Sequence, residues 1–250
     1  MKNYFDKEFE LRYFEMNKFG LASPTALLTL IEETAADHCC SINNGLYDLE
    51  KQHIGWVLLS GFMQMDRYPA YKEKIIIRTW LSRYSTVKGF RENLIYDVQG
   101  NIIGRAKGIW AFFDINRRRP VQVFDEIKEK WSFYSEECVD HDITKKIDAI
   151  ETARYKQEYN VKRFDTDMYL HLNNIRYLQW AIESVPEEIA DNYYLHSIDG
   201  RFIGEAQYGD TIVSLTNEDI YTNSFIHTIK VQGAPGVCAT AKTLWRKMER

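Results

Sequence analysis

The chain has 250 residues, of which 45% are hydrophobic and 27% charged, and its formal net charge is −4. That length accommodates one large domain or two small ones, and the negative balance excludes nucleic acid as a partner by bulk electrostatics. No apolar run approaches the roughly 20 residues that span a bilayer, and the opening MKNYFDKEFELRYFE has no apolar signal region, so a cytoplasmic protein without a membrane partner is expected.

In chain order, a first strand is expected over Glu8–Glu15. A helix follows at Pro24–Asn43, where Ser23 is placed to cap the first amides and Pro24 suits the first helical position. Leu27, Leu28, Ile31, Ala35 and Cys39 give it one apolar face, and Asn43-Asn44-Gly45 supplies a stop. Strands are then expected at Gly55–Met65, Lys74–Trp80, Phe90–Asp97 and Ile102–Asp114. Val121–Asp148 is charged and reads as a solvated linker with one short helix. A second strand-helix pair follows at Ala153–Arg163 and Asn174–Glu183, the helix carrying Ile175, Leu178, Ile182 and Val185 and ended by Pro186. Four strands close the chain: Tyr193–Ile203, Thr211–Asn217, Ser224–Gln232 and Gly236–Arg246. The many aromatics, 14% of the chain, suit such strands.

This order repeats. Ala106-Lys107-Gly108-Ile109-Trp110 matches Ala241-Lys242-Thr243-Leu244-Trp245 at offset 241 − 106 = 135. Tyr71–Ile75 resembles Tyr208–Ile212 at 208 − 71 = 137, and Ser23–Glu33 has the spacing of Asn173–Glu183 at 173 − 23 = 150. Matches in the same order point to duplication. One long helix per half cannot supply the crossovers that parallel strands need. The expected fold is therefore α+β: two tandem hotdog domains, each an antiparallel sheet wrapped around a central helix, their sheets extending one another. The first spans residues 1–135, a linker 136–149, and the second 150–250.

The densest polar cluster is Asp165–Asn174, between a strand and the start of the second helix. The first amides of a helix lack partners and carry partial positive charge. A carbonyl placed there would be stabilised as it becomes negative under attack. His171, just upstream, is placed to orient substrate or move a proton. Glu205, at a strand end before Gly209, is the candidate base; a carboxylate beside an apolar acyl channel would have its pKa raised by desolvation. At offset 150 the first copy has Asn17 and Leu21 in place of Asp167 and His171, so a single site is expected, with the first copy shaping the acyl pocket. Plainer roles stand beside these. His171 could be structural, Asp167 a turn residue, Asn173 a helix cap and Glu205 a solvated charge. His38 reads as structural, and Glu33 as a solvated helix residue kept as a reserve acid. Trp56, Trp80, Trp110 and Phe62 are candidates for the pocket lining or for ordinary core. Arg117-Arg118-Arg119 is a solvated loop or a steering patch for an acidic partner. The six histidines lack metal spacing, and no phosphate loop, Rossmann glycine pattern or G-x-S-x-G elbow occurs, so neither metal nor cofactor is expected. Cys39, Cys40, Cys138 and Cys238 read as free thiols.

The segment Asp165-x-Asp167-x-x-x-His171-x-Asn173-Asn174-x-x-Tyr177-x-x-Trp180 resembles the D-x-D-x-N-x-H-x-N-N-x-x-Y motif of acyl-acyl carrier protein thioesterases of bacteria and plant plastids. Arg12, Glu15, Gly20, Glu33, Ala36, His38, Gly55-Trp56, Thr79-Trp80, Arg91, Trp110 and Arg118-Arg119-Pro120 look like that family's earlier landmarks in order, and Glu205 matches its downstream glutamate. The resemblance implies a thioester hydrolase that releases fatty acids from acyl carrier protein, with Asp167, His171 and Glu205 catalytic and Tyr169, Asn173 and Asn174 positioning the substrate. Tyr169 stands where the family has Asn, and its hydroxyl lacks the carboxamide's geometry. Ala206 stands where plant members often have Cys, which excludes a cysteine nucleophile there and favours direct attack by water. The alternatives are an acyl-CoA thioesterase and a non-catalytic acyl-binding hotdog protein, as monomer or homodimer.

Overall fold

The structure, a computed structural model, describes residues 4–131, 133–167, 171–221 and 223–248. It divides into two units, Met1–Ile143 and Thr144–Arg250.

In the N-terminal unit, β1 (Phe5–Glu10) begins earlier than expected and stops at Glu10, because Tyr13–Glu15 forms a 3₁₀ turn. The Glu15 carboxylate accepts the Arg12 N–H at 2.6 Å and its guanidinium at 2.6 Å, so a local side chain outcompetes the strand ladder. Helix α1 (Pro24–Cys40) is capped as expected, Ser23 Oγ accepting from the Ala26 N–H. Its buried stripe is Leu27, Leu30, Ile31, Thr34 and Ala35, with Leu28 half-buried, because the face turns one residue from the apolar count. Asn43 takes a left-handed φ of 57°, and the short helix α2 (Leu46–Glu50) follows. Then come β2 (Ile54–Met65), β3 (Lys74–Tyr84), β4 (Lys88–Asp97), β5 (Ile102–Asp114) and the two-residue β6 (Arg119–Pro120). All pairings are antiparallel, in the order β1-β3-β4-β5-β2, with β6 folded back on β5. Helix α1 lies against β1 and β3.

The charged segment after β6 is not a solvated linker over its first part. Within α3 (Asp125–Lys130) Ile127 is fully buried, and Trp131 follows it into a cluster with Leu49, Ile54, Leu81 and Phe112. Further on, Lys107 pairs with Glu137, and the Trp80 indole N–H donates to the Glu136 carbonyl. Its charged residues, among those described, are exposed or half-buried, while Val123, Ile127, Trp131, Ile143 and Ile147 are buried at intervals that charge counting hides.

The C-terminal unit repeats the plan. β7 (Tyr155–Asn160) is followed by a 3₁₀ turn, Arg163–Asp165, and by α4 (Asn174–Glu183) and α5 (Glu187–Asn192). Then come β8 (Tyr193–Phe202), β9 (Thr211–Glu218), β10 (Ser224–Val231) and β11 (Ala239–Lys247), antiparallel in the order β7-β9-β10-β11-β8. This is the first sheet's order, strand for strand. Helix α4 packs on β8, β9, β10 and β11, burying Tyr177, Leu178, Trp180 and Ala181. Ile175 and Ile182, expected inward, are half-buried, because the large rings at 177 and 180 take the sheet side. Each unit is thus a hotdog domain.

Candidate functional site

The 3₁₀ turn after β7 delivers the chain to a short antiparallel bridge, Thr166 with Leu172, and a second joins His171 to Gln207. Met168, Tyr169 and Leu170, between these, lie outside the described residues, so the site expectation at Tyr169 is not located. Asp167 binds its partner through the backbone: its N–H donates to the His171 carbonyl at 2.8 Å, and its Oδ1 accepts the His171 N–H at 3.2 Å. Asn173 is the cap of α4, its Oδ1 accepting the Ile175 N–H at 2.8 Å and its own N–H donating to the Asp165 carbonyl at 2.9 Å. The Arg176 N–H donates to the Asn173 carbonyl. Of the amides at this helix start, that of Asn174 makes no hydrogen bond among the described residues.

Glu205 is fixed from the opposite side. Beyond β8, the Cys238 carbonyl accepts the N–H groups of Ile203 and Gly204 at 2.8 and 3.0 Å. Glycine is needed at 204, because a Cβ there would sit 2.9 Å from the Val237 carbonyl oxygen. Ala206 is held at both ends: its carbonyl accepts the Leu172 N–H at 2.9 Å and its N–H donates to the Tyr177 hydroxyl at 2.9 Å. Burial pushes the Tyr177 phenol above its ordinary range, so it stays protonated. These bonds staple the His171 loop to the Glu205 strand end. His171 Nε2 and Glu205 Oε2 stand 3.6 Å apart. That is longer than a hydrogen bond but close enough to share one water. The Glu205 side chain is 41% exposed and that of His171 26%. The expected desolvation of Glu205 is therefore not met, because the strand end carries it outward from the core.

The sequence missed Tyr177 as an organiser of this site. Its signal was its place in the helix, three residues past Asn174, facing the sheet, where a phenol needs a partner.

The same scaffold recurs in the first copy. Asn17 N–H donates to the Leu21 carbonyl, Ala22 N–H to Pro69 and Ser23 N–H to Glu15, at 2.7, 2.8 and 2.7 Å. Bridges join Met16 to Ala22 and Leu21 to Ala70. Each is the counterpart of a bond above, at offset 150 in the loop and 206 − 69 = 137 at the strand end. The positions equivalent to Asp167, His171 and Glu205 are therefore Asn17, Leu21 and Tyr68. Tyr68 is buried. The backbone was duplicated and the titratable pair was kept in one copy only.

The N-terminal unit holds a cavity of about 320 Å³. Trp56 and Trp110 line it, with Leu49, Leu81, Arg91 and Trp131. Trp80 and Phe62 do not; Trp80 is tied to Glu136, and Phe62 stacks on His141 with ring centroids 4.0 Å apart. Glu33 faces Lys7 at 3.0 Å with a 55% exposed side chain, as a solvated helix residue does. His38 meets Arg91 and stacks on Phe5, a structural position. In the basic run, Arg117 pairs with Asp114 at 3.6 Å, and Arg118 takes a left-handed φ of 51° in the turn between β5 and β6.

Fold and site together define a double-hotdog protein with one imidazole–carboxylate pair at a helix start. The profile described as acyl-ACP thioesterase N-terminal domain matches residues 2–131, and that of the C-terminal domain matches 147–247. The chain belongs to the acyl-ACP thioesterase family, whose members are thioester hydrolases. Among its relatives, oleoyl-acyl carrier protein thioesterase 1, chloroplastic, of Arabidopsis thaliana is 24% identical, over 97% of this chain and 76% of that one. Palmitoyl-acyl carrier protein thioesterase, chloroplastic, of Cuphea hookeriana is 24% identical over 97% of this chain and 62% of its own. Among solved structures, an acyl-ACP thioesterase from Bacteroides thetaiotaomicron superposes with a TM-score of 0.87 at 20% identity, covering 98% of each chain. The 12:0-ACP thioesterase from Umbellularia californica does so at 0.87 and 22%, covering 99% of each. Among the described residues, no helix is long and apolar enough to cross a membrane.

Proposed function

We propose that this chain releases free fatty acids from acyl carrier protein, with Glu205 and His171 directing water onto the thioester. The observation that supports this most is the 3.6 Å approach of His171 Nε2 to Glu205 Oε2 beside the start of α4. A water between them would lose a proton to the Glu205 carboxylate as its oxygen adds to the thioester carbon. The Asn174 N–H is the amide available to the developing oxyanion. Collapse would break the C–S bond, the proton held by Glu205 passing through His171 to the departing thiolate and leaving both side chains as they began. Products are then a carboxylic acid and a thiol. Asp167 acts through the His171 backbone, as a positioning residue. Tyr169, Asn173 and Asn174 would place the substrate, and the cavity lined by Trp56 and Trp110 would take the acyl chain.

The four thiols are free, which suits the cytoplasm as the place of work. The exposed Arg118-Arg119 turn offers an acidic carrier protein a basic contact.

The test is a chain-length series of acyl groups presented on carrier protein and, separately, on CoA. Hydrolysis with a higher kcat/KM on carrier protein at one chain length is expected. Hydrolysis of CoA esters alone, or binding of acyl carrier protein without turnover, would replace this reading.

A further inference from the structure

The N-terminal cavity contains a group that hydrolysis leaves unused. Arg91, on β4, lines it at 5% exposure. A guanidinium stays charged in proteins, and a buried charge is costly unless paired. Among the described residues Arg91 makes no ion pair. Its Nη1 meets His38 Nδ1 at 3.1 Å and Thr79 Oγ1 at 3.0 Å, both neutral partners. His38 is neutral because burial, and then the Arg91 charge, lower its pKa to about 3. The remaining Arg91 donors, Nε and Nη2, make no hydrogen bond among the described residues.

Three donors around Arg91 are likewise unpartnered. Trp56 Nε1, Trp131 Nε1 and Tyr84 Oη are buried without hydrogen-bond partners. Trp131 links them all: its ring lies 5.6 Å from the Arg91 guanidinium carbon, 5.8 Å from Trp56 and 6.1 Å from Tyr84. Glu33, on the cavity rim, is engaged by Lys7 instead. The cavity thus carries a cation and two orphan indole N–H groups in its wall, with the Tyr84 hydroxyl behind Trp131, and although Glu32 and Glu33 also line it, neither makes an ion pair with Arg91 among the described residues.

We infer that this cavity binds an aliphatic carboxylate, its chain against Leu49, Leu81, Trp56 and Trp110 and its carboxylate on Arg91. Charge-assisted bonds to a carboxylate are among the strongest an arginine makes, and about 320 Å³ lies at the small end of ligand pockets. The inference rests on reading the cavity as the acyl pocket and specifies the ligand's polar end. Two sources share that chemistry: a free fatty acid, or an acyl thioester whose far end carries a second carboxylate.

Binding of decanoate and of 1-decanol to the intact protein, followed by tryptophan fluorescence and calorimetry, tests it. Decanoate is expected to bind saturably and at least roughly 10-fold more tightly than the alcohol, and Arg91→Met to weaken it by about 10- to 100-fold while sparing the alcohol. Should Arg91→Met fail to fold, Gly89→Leu serves. A Cβ at Gly89 meets Leu81 and Trp56 at an ordinary 3.6 Å, so the larger side chain fills the cavity and decanoate binding should vanish with the near-UV signal retained. Equal binding of the two ligands to the wild type, or decanoate binding that survives either substitution, overturns the inference. Carrier protein loaded with decanoyl or with the half-thioester of decanedioic acid separates the sources. Preferential hydrolysis of the latter, lost in Arg91→Met, identifies the substrate's far end, whereas competitive inhibition by decanoate with no such preference identifies the free acid. Decanoate binding without hydrolysis of any thioester would leave this inference standing and remove the proposed reaction; hydrolysis without decanoate binding would do the reverse.

Discussion

At the residue scale, the approach of His171 to Glu205 depends on groups outside that pair. Ala206 is pinned by Leu172 and Tyr177, and its neighbour Glu205 inherits that position. Tyr177→Phe removes an acceptor and leaves the Ala206 N–H buried and unpaired. That should lower stability by roughly 1–3 kcal/mol and lower kcat as well, measured by urea unfolding and by turnover of acyl carrier protein. Unchanged stability with unchanged turnover would mean that the phenol only fills space. This dependence was half legible. The approach of His171 to Glu205 and the Asn173 cap were expected from a motif and a helix start, but the tie from Tyr177 to residue 206 crosses 29 positions and spacing alone does not reveal it. Likewise the exposure of Glu205 follows from where β8 ends and its chain turns outward, which no local pattern encodes.

At the scale of elements, both central helices begin with the same device in different chemistry. Ser23 caps α1 and Asn173 caps α4, each satisfying an amide at a helix start. Ser23→Ala and Asn173→Ala should each cost about 1 kcal/mol, read by chemical denaturation. Only the second should also lower turnover, because only α4 starts beside the proposed reacting pair. Equal losses of activity in both would show that capping acts through general destabilisation. The elements were legible to within a few residues, and the expected bounds of β5 and α4 coincide with the observed ones. The failures share a cause. The expected strand through Glu15 gives way to a local carboxylate turn, and the expected solvated linker hides Ile127 and Trp131 among charges. In both places one or two side chains decide the outcome against the average character of the segment.

At the scale of the whole molecule, duplication accounts for the arrangement. Two sets of five strands in identical order carry two loops that share a set of backbone hydrogen bonds and bridges among the described residues. One loop bears Asp167, His171 and Glu205; the other bears Asn17, Leu21 and Tyr68. The first copy, without the imidazole–carboxylate pair, holds a cavity with Arg91 in its wall. The repeat was legible from short matches in the same order, but the counterpart of Glu205 was not, because the offset changes from 150 to 137 between loop and strand end and only paired hydrogen bonds reveal which to use. The most direct measurement is turnover of an acyl carrier protein substrate by His171→Ala, Glu205→Gln and the double variant. If the two side chains act on one water as a unit, each single change should cost about 100-fold or more, and the double variant should fall little further. Full activity in either single variant, or losses that multiply in the double, would contradict it.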